Sequence, residues 1–210
     1  MGAKKGLIFG SSPCESWDFL RPYAQWPDLV IAADGGLTFA RMAGFSPSAY
    51  VGDGDSGGRE EPGLRNVVLP EEKDVTDLEA AYDWAKEQGV TELLLTGCTG
   101  GRLDHHMAAM GLLETARGDG IHGVILDPRN RIEFLTPGTY AVPDLGYRYF
   151  SLIPVERMLV GLCIRGAKYP LENRDVHRGD SLTISNEFAR DTVEISFREG
   201  CCYLIQADRR

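Results

Sequence analysis

The sequence has no apolar run approaching the roughly 20 residues needed to cross a bilayer. Its first ten residues carry two lysines and then only a short apolar stretch, which is not the pattern of a secretory leader. A soluble, cytoplasmic protein is expected, with no membrane partner. Positive charge is also scarce: 22 Lys and Arg face 31 Asp and Glu, for a formal net charge of -9, and no basic run interrupts the acidic surface. A nucleic-acid backbone would find nothing to hold it, so nucleic acid is excluded as a partner. The five cysteines, Cys14, Cys98, Cys163, Cys201 and Cys202, are odd in number and lack the paired spacing of a zinc site, which points to a reducing compartment. Repeats and low-complexity segments are missing as well.

A chain of 210 residues that is 43% hydrophobic can bury a core without disulfide or metal staples, as one large domain or two small ones. Two periodicities divide it. Up to about residue 135, short apolar runs (Gly6–Phe9, Leu29–Ala33, Ala49–Val51, Val67–Leu69, Leu93–Thr96 and Val124–Leu126) alternate with helical stretches. Thr76–Gln88 aligns Leu78, Tyr82 and Ala85, and Asp104–Arg117 aligns Met107, Met110 and Leu113, each set on one helical face. This alternation predicts an α/β domain with a Rossmann-like parallel sheet, whose ligands bind beyond the carboxyl ends of the strands. From about Ile132 the segments Arg148–Leu152, Leu159–Ile164, Ser181–Ile184, Thr192–Phe197 and Cys202–Ile205 read as strands of an antiparallel β-sandwich. The expected domains are 1–135 and 136–210, joined by a short connection at Pro137-Gly138.

Acidic and glycine-rich clusters fall at the predicted strand ends. Gly52-Asp53-Gly54-Asp55-Ser56 sets two carboxylates two residues apart, a spacing that suits one hard cation such as Mg²⁺ and equally suits a plain Asp-Gly turn. Asp34-Gly35-Gly36 combines a carboxylate with glycines that admit a phosphate. In Lys73-Asp74-Val75-Thr76-Asp77-Leu78-Glu79, Thr76 and Glu79 form a capping box, while Lys73, Asp74 and Asp77 sit on the approach to a helix N-terminus. Gly97 to His105 leads from strand to helix through Gly100 and Gly101, a phosphate cradle in which Arg102 clamps oxygens and Asp104 is either N-cap or site charge. The run matches neither the dinucleotide fingerprint nor the Walker loop. His105 and His106 point to opposite sides of a helix and cannot share a metal. Asp127 and Asn130 form either a ligand loop or an Asp-Pro turn.

In order, these clusters resemble the thiamine pyrophosphokinase family pattern DGG, GDxDS, DxTD and GGRxDH, at Asp34–Gly36, Gly52–Ser56, Asp74–Asp77 and Gly100–His105. Gly166–Leu171 is similar to its GxKYxL segment and Ser185-Asn186-Glu187 to its SNE segment, so the likeness spans nearly the whole chain. The resemblance implies an enzyme that moves a pyrophosphoryl group from ATP to thiamine with Mg²⁺, giving thiamine diphosphate and AMP. It also implies a homodimer with the thiamine pocket between subunits. Asp53, Asp55 and Asp77 would hold Mg²⁺ and the triphosphate, and Asp34, Gly35, Gly36, Lys73, Asp74, Thr76, Gly100, Gly101 and His105 would line the nucleotide. Arg102 would stabilise transferring charge, Asp104 would orient the thiamine hydroxyl, and Ser185 and Asn186 would hydrogen-bond the aminopyrimidine.

Two positions depart from the pattern: Gly54 stands where an aromatic is usual, and Ala109 where an asparagine is usual. The competing readings are a pyrophosphokinase for another heterocyclic alcohol, such as a pterin, and a noncatalytic thiamine or nucleotide sensor.

Overall fold

The structure is a computed structural model that describes residues 2–52, 63–68 and 74–208. The chain divides into two compact units, Met1–Pro128 and Arg129–Arg210. That division precedes the 135/136 boundary read from periodicity, because strand β7 (Asn130–Leu135) pairs with β13 (Cys202–Ala207) and belongs with the second unit.

The first unit is a parallel sheet in the order β4-β3-β2-β1-β5-β6. Its strands are β1 (Lys5–Phe9), β2 (Leu29–Ala33), β3 (Ala49–Gly52), β4 (Arg65–Val68), β5 (Glu92–Thr96) and β6 (His122–Leu126). Each of the six matches an apolar run seen in the sequence. Four of them, β1, β2, β5 and β6, are buried at every position after the first, as a parallel sheet covered on both faces requires. From β1 the chain winds outward to β4, then returns to lay β5 against the other side of β1. The strand order therefore reverses between β1 and β5, where open α/β sheets bind ligands.

One side of the sheet packs Leu7, Phe9, Val30, Leu94 and Val124 against Trp17 and Leu20 around a 3-10 helix (Asp18–Tyr23) and against Ala40 of α1 (Gly36–Met42). Two longer helices, α2 (Asp77–Glu87) and α3 (Leu103–Gly118), also pack on the sheet. Thr76 is the N-cap of α2: its backbone is extended and its side-chain oxygen accepts the Glu79 N–H at 3.2 Å, so the Thr76 half of the capping box is formed. α2 buries Ala81, Tyr82 and Ala85. α3 buries Ala109, Leu112, Leu113 and Ala116, while Met107 is 56% exposed. The expected Met107-Met110-Leu113 face is thus displaced: the small side chains of Ala109 and Ala116 allow close approach to the sheet. The Tyr82 hydroxyl and Lys86 Nζ both bond Asp119 Oδ2 at 2.7 Å, tying α2 to the end of α3.

The second unit has two antiparallel sheets, as expected of a sandwich. One is β7-β13-β9, with β9 Tyr149–Pro154. The other is β11-β10-β12-β8, with β8 Gly138–Pro143, β10 Met158–Arg165, β11 Leu171–His177 and β12 Thr192–Phe197. Its core joins Leu152, Phe150 and Leu204 to Leu162, Ile164, Val193, Ile195 and Phe197; each such side chain contributes about 1.5–3 kcal/mol on burial. Ser181–Ile184, expected as a strand, is instead a turn. The Thr183 hydroxyl donates to Leu152 O at 2.6 Å there, and Leu182 and Ile184 project outward.

Candidate functional site

The reversal point is built by two glycines. Beyond the paired strands, the Gly10 N–H donates to Thr96 O at 2.8 Å and the Ser12 N–H to Gly97 O at 2.7 Å. A Cβ on Gly10 would stand 2.6 Å from Gly97 O, and one on Gly97 would stand 2.7 Å from Gly10 O, with Gly97 at φ +63°. Only residues without side chains let these ends run so close. Above them opens a cleft of about 180 Å³, lined by Ser11 and Ser12 after β1, Cys98 after β5, Thr76 and Glu79 at the start of α2, and His105 on α3. Strand-end hydroxyls and the N-terminus of an 11-residue helix form an environment suited to phosphate oxygens.

Ser11 and Ser12 were not singled out in the sequence, although Gly10-Ser11-Ser12 directly after the first strand was the available signal. Gly101 approaches them, since a Cβ there would lie 3.0 Å from Ser12 Oγ, and Gly100 turns the loop at φ +81°. The Thr99 hydroxyl donates to Asp127 Oδ2 at 2.9 Å, hooking the loop after β5 to the one after β6, so Asp127 has a structural partner. Cys98 is inert as a nucleophile: burial, then the charge of Asp127, pushes its thiol up to about 12.

Gly36 also has a packing task. A Cβ there would fall 2.1 Å from Phe9 O, so the residue is glycine to let α1 pack on the end of β1. Asp34 turns the chain at φ +49°, and its N–H donates to Val51 O at 2.9 Å. Gly35 precedes the first residue of α1 in a helical conformation. Asp74 is exposed and Asp77 is the first residue of α2. Asp53, Asp55 and Lys73 lie outside the described residues.

Arg102, not Asp104, occupies the N-cap position of α3. Its guanidinium grips Asp104 twice, Nη2 to Oδ2 at 2.6 Å and Nε to Oδ1 at 3.1 Å, and both side chains are largely exposed. The Arg102 guanidinium holds the Asp104 carboxyl below the usual carboxylate range, assisted by the His105 N–H at 3.0 Å. Asp104 is therefore a carboxylate at neutral pH, a hydrogen-bond acceptor and not an acid. Oxygen donors such as Asp34, Asp74 and Asp77 suit a hard divalent cation. Among the described residues no group of three or more His, Cys, Asp or Glu side chains is close enough to hold a metal.

In the second unit Ser185 is exposed at φ +58°, its N–H donating to Ser151 Oγ at 2.9 Å. Asn186 is buried, and its carboxamide serves the main chain. Oδ1 accepts from Tyr169 N at 3.0 Å and Glu187 N at 2.9 Å, while Nδ2 donates to Tyr169 O at 2.8 Å. Asn186 thus clamps Tyr169 in place. Tyr169 stands 57% exposed, with Lys168 Nζ 5.4 Å from its ring centroid and ion-paired to Glu187 at 2.8 Å. Sequence alone did not single out this aromatic.

Residues 20–125 match the "Thiamin pyrophosphokinase, catalytic domain" family and residues 140–202 the "Thiamin pyrophosphokinase, vitamin B1 binding domain" family. The thiamine pyrophosphokinase of Bacillus subtilis is 34% identical over 197 residues, covering 90% of this chain and 91% of that protein. A crystal structure of thiamine pyrophosphokinase from Bacillus subtilis superposes with a TM-score of 0.89 at 30% identity, covering 99% of this chain and 100% of that one. One from Geobacillus thermodenitrificans gives 0.86 at 36% identity, with 98% of each chain covered. With both family regions matched in order and the fold shared end to end, the chain belongs to the thiamine pyrophosphokinase family.

Proposed function

We propose that this enzyme transfers the β,γ-pyrophosphoryl group of ATP to the hydroxyethyl oxygen of thiamine in a Mg²⁺-dependent reaction, releasing AMP. The observation that carries the reading is the cleft at the β1/β5 reversal, where Ser11, Ser12 and the start of α2 meet, in a chain whose family performs this transfer. The thiamine oxygen forms a bond to the β-phosphorus, the bond from that phosphorus to the α,β-bridging oxygen breaks, and AMP departs with its electron pair. The hydroxyl proton is lost to solvent. Such a transfer depends on positioning and charge stabilisation more than on a strong base.

The residues divide the work. Gly100, Gly101, Ser11, Ser12 and Thr76 line the triphosphate, with Gly35, Gly36, Lys73 and His105 near the nucleotide. Arg102 leaves Asp104 to meet the moving phosphate, and the freed Asp104 carboxylate accepts the hydrogen bond of the thiamine hydroxyl. Asp53, Asp55 and Asp77, with Asp34 and Asp74 behind them, supply the oxygen donors for Mg²⁺, which when bound neutralises triphosphate charge. In the second unit the Ser185 hydroxyl bonds the aminopyrimidine, and Asn186 fixes Tyr169 so that its ring meets the cationic thiazolium. We place the reaction in the cytoplasm, in a homodimer with the acceptor pocket at the subunit interface.

Asp55→Asn tests the metal assignment. Thiamine-dependent AMP formation should fall by orders of magnitude while the circular dichroism spectrum is kept. Full activity in that variant contradicts the assignment.

A further inference from the structure

The inner face of the β7-β13-β9 sheet changes character along its length. Register aligns Leu135, Cys202 and Pro154 in one cross-strand row, Glu133, Leu204 and Leu152 in a second, and Arg131, Gln206 and Phe150 in a third. Side chains directly opposite one another share a face. Because Leu135, Leu204, Leu152, Cys202 and Phe150 belong to the sandwich core, Arg131, Glu133 and Gln206 share that inward face.

Packing does not account for this polar end. Gln206 is 1% exposed, and its Oε1 is buried without a hydrogen-bond partner. An unpaired buried amide oxygen opposes folding, whereas an apolar residue of similar shape would not. Beside it Arg131 Nε pairs with Glu133 Oε1 at 3.0 Å, the two side chains being only 15% and 16% exposed. A buried ion pair of this kind is often matched or surpassed in stability by apolar side chains.

Arg131, Glu133 and Gln206 all line a pocket of about 140 Å³, together with Tyr140, Pro143 and Leu145. The Tyr140 hydroxyl is committed to Thr136 O at 2.7 Å, so that ring offers mainly its apolar surface. Arg131 and Glu133 neutralise each other, which favours an uncharged occupant. Gln206 Oε1 requires a donor, and the Arg131 guanidinium, with five N–H groups in all, has donors beyond the one given to Glu133. The Leu135, Val142 and Leu204 side chains, with Pro143, favour flat apolar faces.

We propose that this pocket is a binding site for a small, uncharged, planar molecule with an amide- or amidine-type edge, whose N–H bonds Gln206 Oε1 and whose adjacent acceptor takes an Arg131 N–H. The site lies wholly within the second unit and does not rest on the reaction proposed above.

The test is NMR titration of the full-length ¹⁵N-labelled protein with cytosine as probe and toluene as the ring without a polar edge. Cytosine should give saturable shifts confined to Arg131, Glu133, Val142, Leu204 and Gln206, and toluene none. Binding should weaken at least tenfold in Gln206→Leu, which is expected to fold at least as well as the parent. Leu145→Trp, a change at the half-exposed mouth, should block the probe even if Gln206→Leu fails to fold. Absence of saturable shifts at these residues, or equal binding by the parent and both variants, would overturn the proposal.

Discussion

Arg102 and Asp104, two residues apart where α3 begins, hold each other through two hydrogen bonds of 2.6 and 3.1 Å. The guanidinium proposed to stabilise phosphate is thereby engaged before the nucleotide arrives, and a triphosphate must outbid a carboxylate for it. A bidentate fork suits either partner.

Arg102→Ala is expected to lower kcat by roughly a hundred- to a thousandfold, the range for loss of one preorganised charge-stabilising donor. Both side chains are exposed, so the thermal midpoint should stay near the parent's. Steady-state kinetics beside a melting curve checks both halves of the expectation. Arg102→Lys should recover only part of the rate, since an ammonium cannot reproduce the fork.

Gly36→Ala should destabilise the first unit by about 1–3 kcal/mol, the range for overpacking, because its methyl meets the Phe9 main-chain oxygen. Gly111→Ala should act in the opposite sense. Apart from α3's own backbone, no described atom lies within 4 Å of a Cβ there, and the position is inside α3, so about 1 kcal/mol of helix propensity is gained. Urea midpoints of the two variants should therefore move apart around the parent's.

Asn186→Ala leaves the Tyr169 N–H and C=O and the Glu187 N–H without their side-chain partner. Stability should drop by about 1–3 kcal/mol, and KM for thiamine should rise as the Tyr169 ring loosens. Ser185→Ala, at an exposed residue, should raise the thiamine KM with little change in stability or in KM for ATP. An equal loss of ATP affinity would contradict the division of labour.

Acid stability should depend on Asp119. Lys86, then the Tyr82 hydroxyl, holds its carboxyl below the ordinary carboxylate range. A carboxyl with a depressed folded-state pKa stabilises the fold above its unfolded value of about 3.9, and that contribution is lost as pH falls through the folded value. Asp119→Asn should remove this part of the acid-side slope, so parent and variant unfolding midpoints differ at pH 7 and converge toward pH 2. A constant difference over that range would show that the ion pair contributes no pH dependence.

The sequence disclosed the parallel sheet because a strand buried on both faces reads as a near-continuous apolar run, as Leu29–Ala33 and the Leu93-Leu94-Leu95 centre of β5 do. It did not disclose β11, Leu171–His177, whose edge position leaves most residues exposed and erases the alternation. Ser181–Ile184 misled for the opposite reason: Leu182 and Ile184 alternate like a strand but face outward from a turn. α1 was hidden by its brevity and its glycine start. At the site, the acidic clusters were visible as chemistry. The work of Asn186 and Gly36 was not, because both act on main-chain atoms that are distant in sequence and adjacent only after folding.

The most direct test of the central claim is to incubate the purified protein with ATP, Mg²⁺ and thiamine and to resolve the products by chromatography and ³¹P NMR. Thiamine diphosphate and AMP in equal amounts, both absent without Mg²⁺, is the predicted result. ADP with thiamine monophosphate would contradict pyrophosphoryl transfer, and ATP left intact with thiamine unchanged would contradict thiamine as the acceptor.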